Sequence, residues 1–95
     1  MKWIEIITLR SIEKANRVIV DELLDQFFKQ RGPGLPSFVS VYNHSLVETD
    51  LSIHMHWETQ AEPPGESLLS QRLSYALRDL GMLNHSVWIE SETIA

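Results

Sequence analysis

Leu51-Ser52-Ile53-His54-Met55-His56-Trp57-Glu58 alternates without a break between apolar and polar side chains. Period two marks a β-strand with one face in a core and the other turned away. Leu51, Ile53, Met55 and Trp57 make the core face, and Ser52, His54, His56 and Glu58 the other. The stretch before it behaves alike: across 37–47, Val39 and Val41 alternate with Phe38, Tyr42 and His44. Glu48-Thr49-Asp50 lies between the two, a turn short enough for an antiparallel hairpin.

Outward from the hairpin the period changes. Upstream, Ile12, Ala15, Ile19, Leu23 and Phe27 recur every three or four residues, with Leu24 and Phe28 widening the stripe. That spacing predicts an amphipathic helix. Ser11 stands where an N-cap belongs, and the helix is expected to run to about Arg31 and stop at Gly32-Pro33. The Gly32–Pro36 loop follows a helix instead of opening one, so it offers no helix N-terminus to a phosphate. Downstream, past Glu62-Pro63-Pro64-Gly65, the residues Leu69, Leu73, Ala76, Leu77 and Leu80 predict a second helix. It begins at Glu66 or Ser67 and ends at Gly81.

Short β-branched and aromatic runs close both ends of the chain, at 2–10 and about 85–91. The order is strand, helix, strand, strand, helix, strand. It predicts a single α+β domain over 1–95 with a ferredoxin-like βαββαβ fold, a four-stranded antiparallel sheet and two helices on one face.

Composition removes several functions. The chain has 95 residues, a net charge of −5 and only eight Lys and Arg, so it lacks the basic surface that nucleic acid or an anionic membrane requires. No cysteine is present, which excludes thiolate catalysis, disulfides and iron–sulfur clusters. Met1-Lys2-Trp3-Ile4-Glu5 reads as mature structure without a leader, and the expected location is cytoplasmic. There is no Gly-x-Ser-x-Gly elbow and no dinucleotide fingerprint, and no cofactor is implied.

Two helices cover one side of such a sheet. Ile4 and Ile6 are assigned to the covered side, with Val39, Val41, Val87, Ile89 and the core face of the central hairpin. Alternation then sends Trp3, Glu5, Ile7, Leu9, Phe38, Tyr42, His44, His54, His56, Glu58, Trp88 and Glu90 to the open side. An open side this aromatic implies association, and a two-fold homodimer packed sheet to sheet is expected.

In this element order and two-sided sheet the chain resembles the dimeric α+β barrel superfamily, which includes the antibiotic-biosynthesis monooxygenases. The segment Asn84-His85-Ser86-Val87-Trp88-Ile89-Glu90 is similar to small uncharacterised prokaryotic proteins. The resemblance implies the fold and a dimer. It does not choose among cofactor-free oxygenases, isomerases, haem-binding enzymes and proteins without a known reaction.

The candidate site lies on the open side: Trp3, Ile7, Phe38, Tyr42, His54, His56 and Trp88. His54 and His56 point the same way, ~6.5–7 Å apart along the strand. That spacing suits a shared metal with His44 or Glu58 as third ligand, but the plainer reading is a polar lining of an interface, with no metal. Tyr42, Trp3 and Trp88 can stack a flat ligand, and Tyr42, His54 and His56 are the candidate catalytic groups. His85 is a general base or a capping residue. Glu5, Glu58 and Glu90 are a carboxylate cluster or a solvated rim.

Two functions fit. One is a non-enzymatic dimeric module that binds a small molecule or a partner. The other is a cofactor-free oxygenase or isomerase acting on a small apolar or aromatic substrate. An enclosed apolar pocket with convergent polar groups would separate them.

Overall fold

The hairpin forms as its alternation demands. β2 (Phe38–Asn43) pairs antiparallel with β3 (Leu51–Glu58), Val39 opposite Met55 and Val41 opposite Ile53. β1 (Lys2–Arg10) lies on the other side of β3, and β4 (Met82–Ile89) lies beyond β1, so the sheet order is β2-β3-β1-β4. A single 3₁₀ turn, Lys14–Asn16, leads into α1 (Arg17–Phe28), and α2 (Leu68–Leu77) precedes β4. The computed structural model describes residues 1–29, 34–63 and 65–95. The expected helix end at Arg31 and its Gly32-Pro33 stop lie outside them. Within them no helix is long and apolar enough to cross a membrane. This is the ferredoxin-like α+β fold, with both helices on one face.

The core sits between helices and sheet. Ile7, Leu9, Val20, Ile53, Met55, Leu73 and Leu77 are wholly buried there. Each contributes about 1.5–3 kcal/mol by leaving water.

β1 is turned the other way from the expectation. Trp3, Glu5, Ile7 and Leu9 face the helices, while Ile4 and Ile6 face out. Register enforces this: Trp3 stands opposite Trp57, Glu5 opposite Met55, Ile7 opposite Ile53 and Leu9 opposite Leu51. Trp3 and Trp57 stack with ring centroids 5.1 Å apart and planes 8° from parallel. Trp3 and Ile7 are therefore core residues and not part of the open face. Assigning Ile4 and Ile6 to the core kept a carboxylate out of it. The fold instead buries Glu5 and satisfies one of its oxygens, Oε2 accepting the Ser67 N–H at 3.0 Å and lying 2.8 Å from His85 Nε2.

Two expected helix signals have other duties. Ser11 is not an N-cap. It takes a left-handed conformation (φ 61°) in the turn after β1, where its N–H donates to Asp50 Oδ1 at 3.0 Å. That bond holds the Asp50 carboxyl below its ordinary value, against burial and with help from Arg10 and Thr49. With its folded value lowered, the turn is stabilised at neutral pH and loosens as pH falls through that value. The second helix does carry its cap: Ser67 Oγ accepts the Ser70 N–H at 3.1 Å.

Gly81 lies beyond the end of α2, where the chain passes against β1. A Cβ there would come within 2.6 Å of the Arg10 carbonyl oxygen and 2.9 Å of a Leu9 methyl. The residue is glycine because the backbone approaches this closely, not because it stops the helix. Gly81→Ala is expected to destabilise the fold by about 1–3 kcal/mol, read as a lower midpoint in urea denaturation.

Candidate functional site

Alternation from the observed register places Ile4, Ile6 and Thr8 of β1 on the open face, with Phe38, Ser40 and Tyr42 of β2. Ser52, His54 and His56 of β3 join them, as do Asn84, Ser86 and Trp88 of β4. Of the expected site residues, Phe38, Tyr42, His54, His56 and Trp88 share this face. Phe38, Tyr42 and Trp88 are 54%, 53% and 60% exposed. A face with three half-exposed rings on it is costly to leave in water.

The histidines here are held by aromatic neighbours. His56 stacks on Phe38, ring centroids 3.9 Å apart and planes 13° from parallel. His54 meets Tyr42 at 4.6 Å with rings tilted 56°. Cross-strand pairing makes both contacts: Phe38 stands opposite His56, and Tyr42 stands one step diagonal to His54. His54 Nε2 lies 2.6 Å from Ser52 Oγ, while His56 Nε2 is buried without a hydrogen-bond partner. Burial first, and the neighbouring His56 second, push the His54 imidazole below its ordinary value of 6.5.

A cleft of about 510 Å³ opens at one end of this face. Ile4, Phe38, His56 and Trp88 line it, and Lys2, Glu58 and Glu90 stand at its rim. Its apolar wall and single imidazole suit a small aromatic guest.

His44 is not beside His54 and His56. Its Nδ1 accepts the N–H groups of Leu46 and Val47, both at 3.1 Å, and so caps the turn between β2 and β3. Among the described residues no three metal-ligating side chains gather.

The covered side holds a second constellation, which the sequence reading divided between a rim and a cap. Glu5 is 0% exposed. β1 supplies the carboxylate, the first turn of α2 an N–H through Ser67, and β4 the His85 imidazole. Glu5 Oε1 is buried with no partner. His85 keeps 22% of its side chain exposed and so joins the buried carboxylate to the surface. A carboxylate and an imidazole in contact can accept and hand on a proton. A lone acid inside an apolar central strand was the sequence signal for it, and only the pairing of β1 with β4 brings His85 to that acid.

No family model matches the chain, and no curated protein matches it. Solved structures do. SnoaB, a cofactor-independent oxygenase from Streptomyces nogalater, in a single-site mutant form, is 14% identical with a TM-score of 0.68. The match covers 98% of this chain and 96% of that one. A candidate antibiotic biosynthesis monooxygenase from Deinococcus radiodurans is 18% identical with a TM-score of 0.67, over the same shares of both chains. At such identities the likeness is one of fold: this chain has the α+β fold of those proteins along nearly its whole length.

Proposed function

We propose that the chain is a homodimeric binding module, two copies joined through their open sheet faces, that holds a small apolar or aromatic molecule without transforming it. One observation carries this: Phe38, Tyr42 and Trp88 stand more than half exposed on one face, around the half-buried Ile4 and Ile6. Four strands ~4.8 Å apart and eight residues at ~3.3 Å each give a face of about 500 Å² in projection. Side-chain relief adds to that, so the accessible area is of the same order as the ~800 Å² each partner gives to a standard interface. A two-fold axis sets the same patch against itself, and this patch carries Ile4, Ile6 and the His54 and His56 rings in its middle with Lys2 and Glu58 at one end. The cleft beside Trp88 then becomes a chamber closed by the second copy.

The test is solution mass by native mass spectrometry or light scattering. The wild-type chain is expected to be a dimer at tens of micromolar, ~10⁻⁵ M, corresponding to about 7 kcal/mol or more of association free energy. Trp88→Glu replaces a large exposed ring of this face, on the edge strand β4, with a charge and is expected to yield folded monomers. A Trp88→Glu protein that keeps the dimer mass would remove this face from the interface.

A second reading has its own observation, the Glu5–His85 pair on the covered side. The fold likeness to a cofactor-independent oxygenase supports it too. In such a reaction the substrate supplies the electrons that reduce oxygen, and the protein's part is to take a proton from it. Glu5 Oε1, unpartnered and buried, is the atom suited to that step. The measurement is oxygen uptake with a panel of small electron-rich phenols. Under this reading Glu5→Gln lowers kcat by about 10²–10⁴-fold. No uptake above the uncatalysed rate with any of them leaves the binding module alone.

A further inference from the structure

His54 and His56 sit in the middle of the open face, and neither imidazole is paired with a carboxylate; Glu58, the next same-side residue on β3, stands opposite Lys2. They are same-side neighbours on β3, an interior strand of the sheet. His54 faces Ile6 on β1 and Ser40 on β2, and His56 faces Ile4 and Phe38.

The other charged and titratable groups on this side are few. β1 brings Lys2 at its start and Arg10 at its end, the latter paired with Asp50, and β2 brings Tyr42 with His44 just beyond it. β3 brings Glu58, which stands opposite Lys2 in the register. β4 brings none between Met82 and Trp88, and Glu90 follows its end at the rim of the cleft. A proton on either imidazole would therefore sit among Ile4, Ile6, Phe38 and Tyr42, beside another imidazole. Neutral rings stack there without cost. Charged rings need partners, and His56 Nε2 is buried without a hydrogen-bond partner.

We propose that the His54–His56 pair makes the dimer acid-labile, joining the two copies while both imidazoles are neutral and parting them when they take up protons. This rests on the open-face dimer proposed above. A second copy laid on the face removes the remaining water from both rings and brings its own pair to the same joint. Separated chains bind protons more readily than joined ones, so acid favours the monomer and the sign is fixed by linkage. Already in the single chain, burial and His56 hold the His54 imidazole below 6.5.

Sedimentation equilibrium on the full chain from about pH 7.5 to about pH 5 tests this, with far-UV circular dichroism on the same samples. An imidazole of ordinary value in the separated chain that the joint keeps neutral weakens association by about 30-fold over that range, so with His54 already lowered, one from each copy gives a rise in dissociation constant of at most about 10³-fold. The His54→Gln, His56→Gln double variant is expected to remain dimeric with a dissociation constant that no longer follows pH. A wild-type dimer whose affinity is flat across the range, or a double variant that keeps the full slope, overturns the acid switch and leaves the dimer standing. Loss of dichroism in step with loss of mass assigns the effect to unfolding and overturns it as well. A chain monomeric at every pH overturns the dimer itself, and the switch with it.

Discussion

A single buried carboxylate organises this fold. Glu5 lies on the helix side of an interior strand, and three elements meet at its Oε2: β1 that carries it, α2 through the Ser67 N–H, and β4 through His85. Burying an unpaired carboxylate costs several kcal/mol, so these partners are a condition for the strand to lie this way up. Ser67 satisfies two ends at once. Its N–H serves Glu5 while its hydroxyl caps the Ser70 N–H, which fixes where α2 starts and how it sits over β1.

Magnitudes explain why the strand accepts an acid in its core. With Glu5 inside, Trp3, Ile7 and Leu9 are inside too, all 4% exposed or less. The other phase would bury Ile4 and Ile6 and expose the larger set. Each large side chain is worth about 1.5–3 kcal/mol, so the chosen phase gains at least one such contribution and the Trp3–Trp57 stack besides. Those gains offset a carboxylate that already has two partners. Ile4 and Ile6 lose little, because they remain half-buried beneath the rings of the open face.

The legible parts of the sequence were those where one period dominated. β3 alternates cleanly, and it fixed the hairpin, the core face and the shared side of His54 and His56. The leucine stripe of α2 gave that helix to within a turn or two. β1 is apolar on both faces, so period alone could not set its phase, and the rule that acids lie outside pointed the wrong way. Trp3 and Ile7 went with it. Ser11 looked like a cap because serine caps helices. Its partner, Asp50, lies across the sheet end in space and could not be read from neighbouring residues. Gly81 looked like a stop signal, whereas its constraint is the carbonyl of Arg10, a contact that exists only once β4 has returned to β1.

The four histidines show how the phase of a sheet divides one residue type into several chemistries. His44 ends β2, and its nitrogen serves two backbone N–H groups as a turn cap. His85 falls on the covered side and meets a carboxylate, its Nε2 2.8 Å from Glu5 Oε2, which ties it to the core. His54 and His56 fall on the open side, among Phe38, Tyr42, Ile4 and Ile6, where neither is paired with a carboxylate. A one-residue slip of β1 would put Glu5 on the open side with His54 and His56 and take it away from His85. The same strand phase that closes the core therefore leaves the outer face aromatic, with its charges at the strand ends, and open to a second layer. A core contact between carboxylate and imidazole and an outer pair of imidazoles among aromatic rings follow from one register.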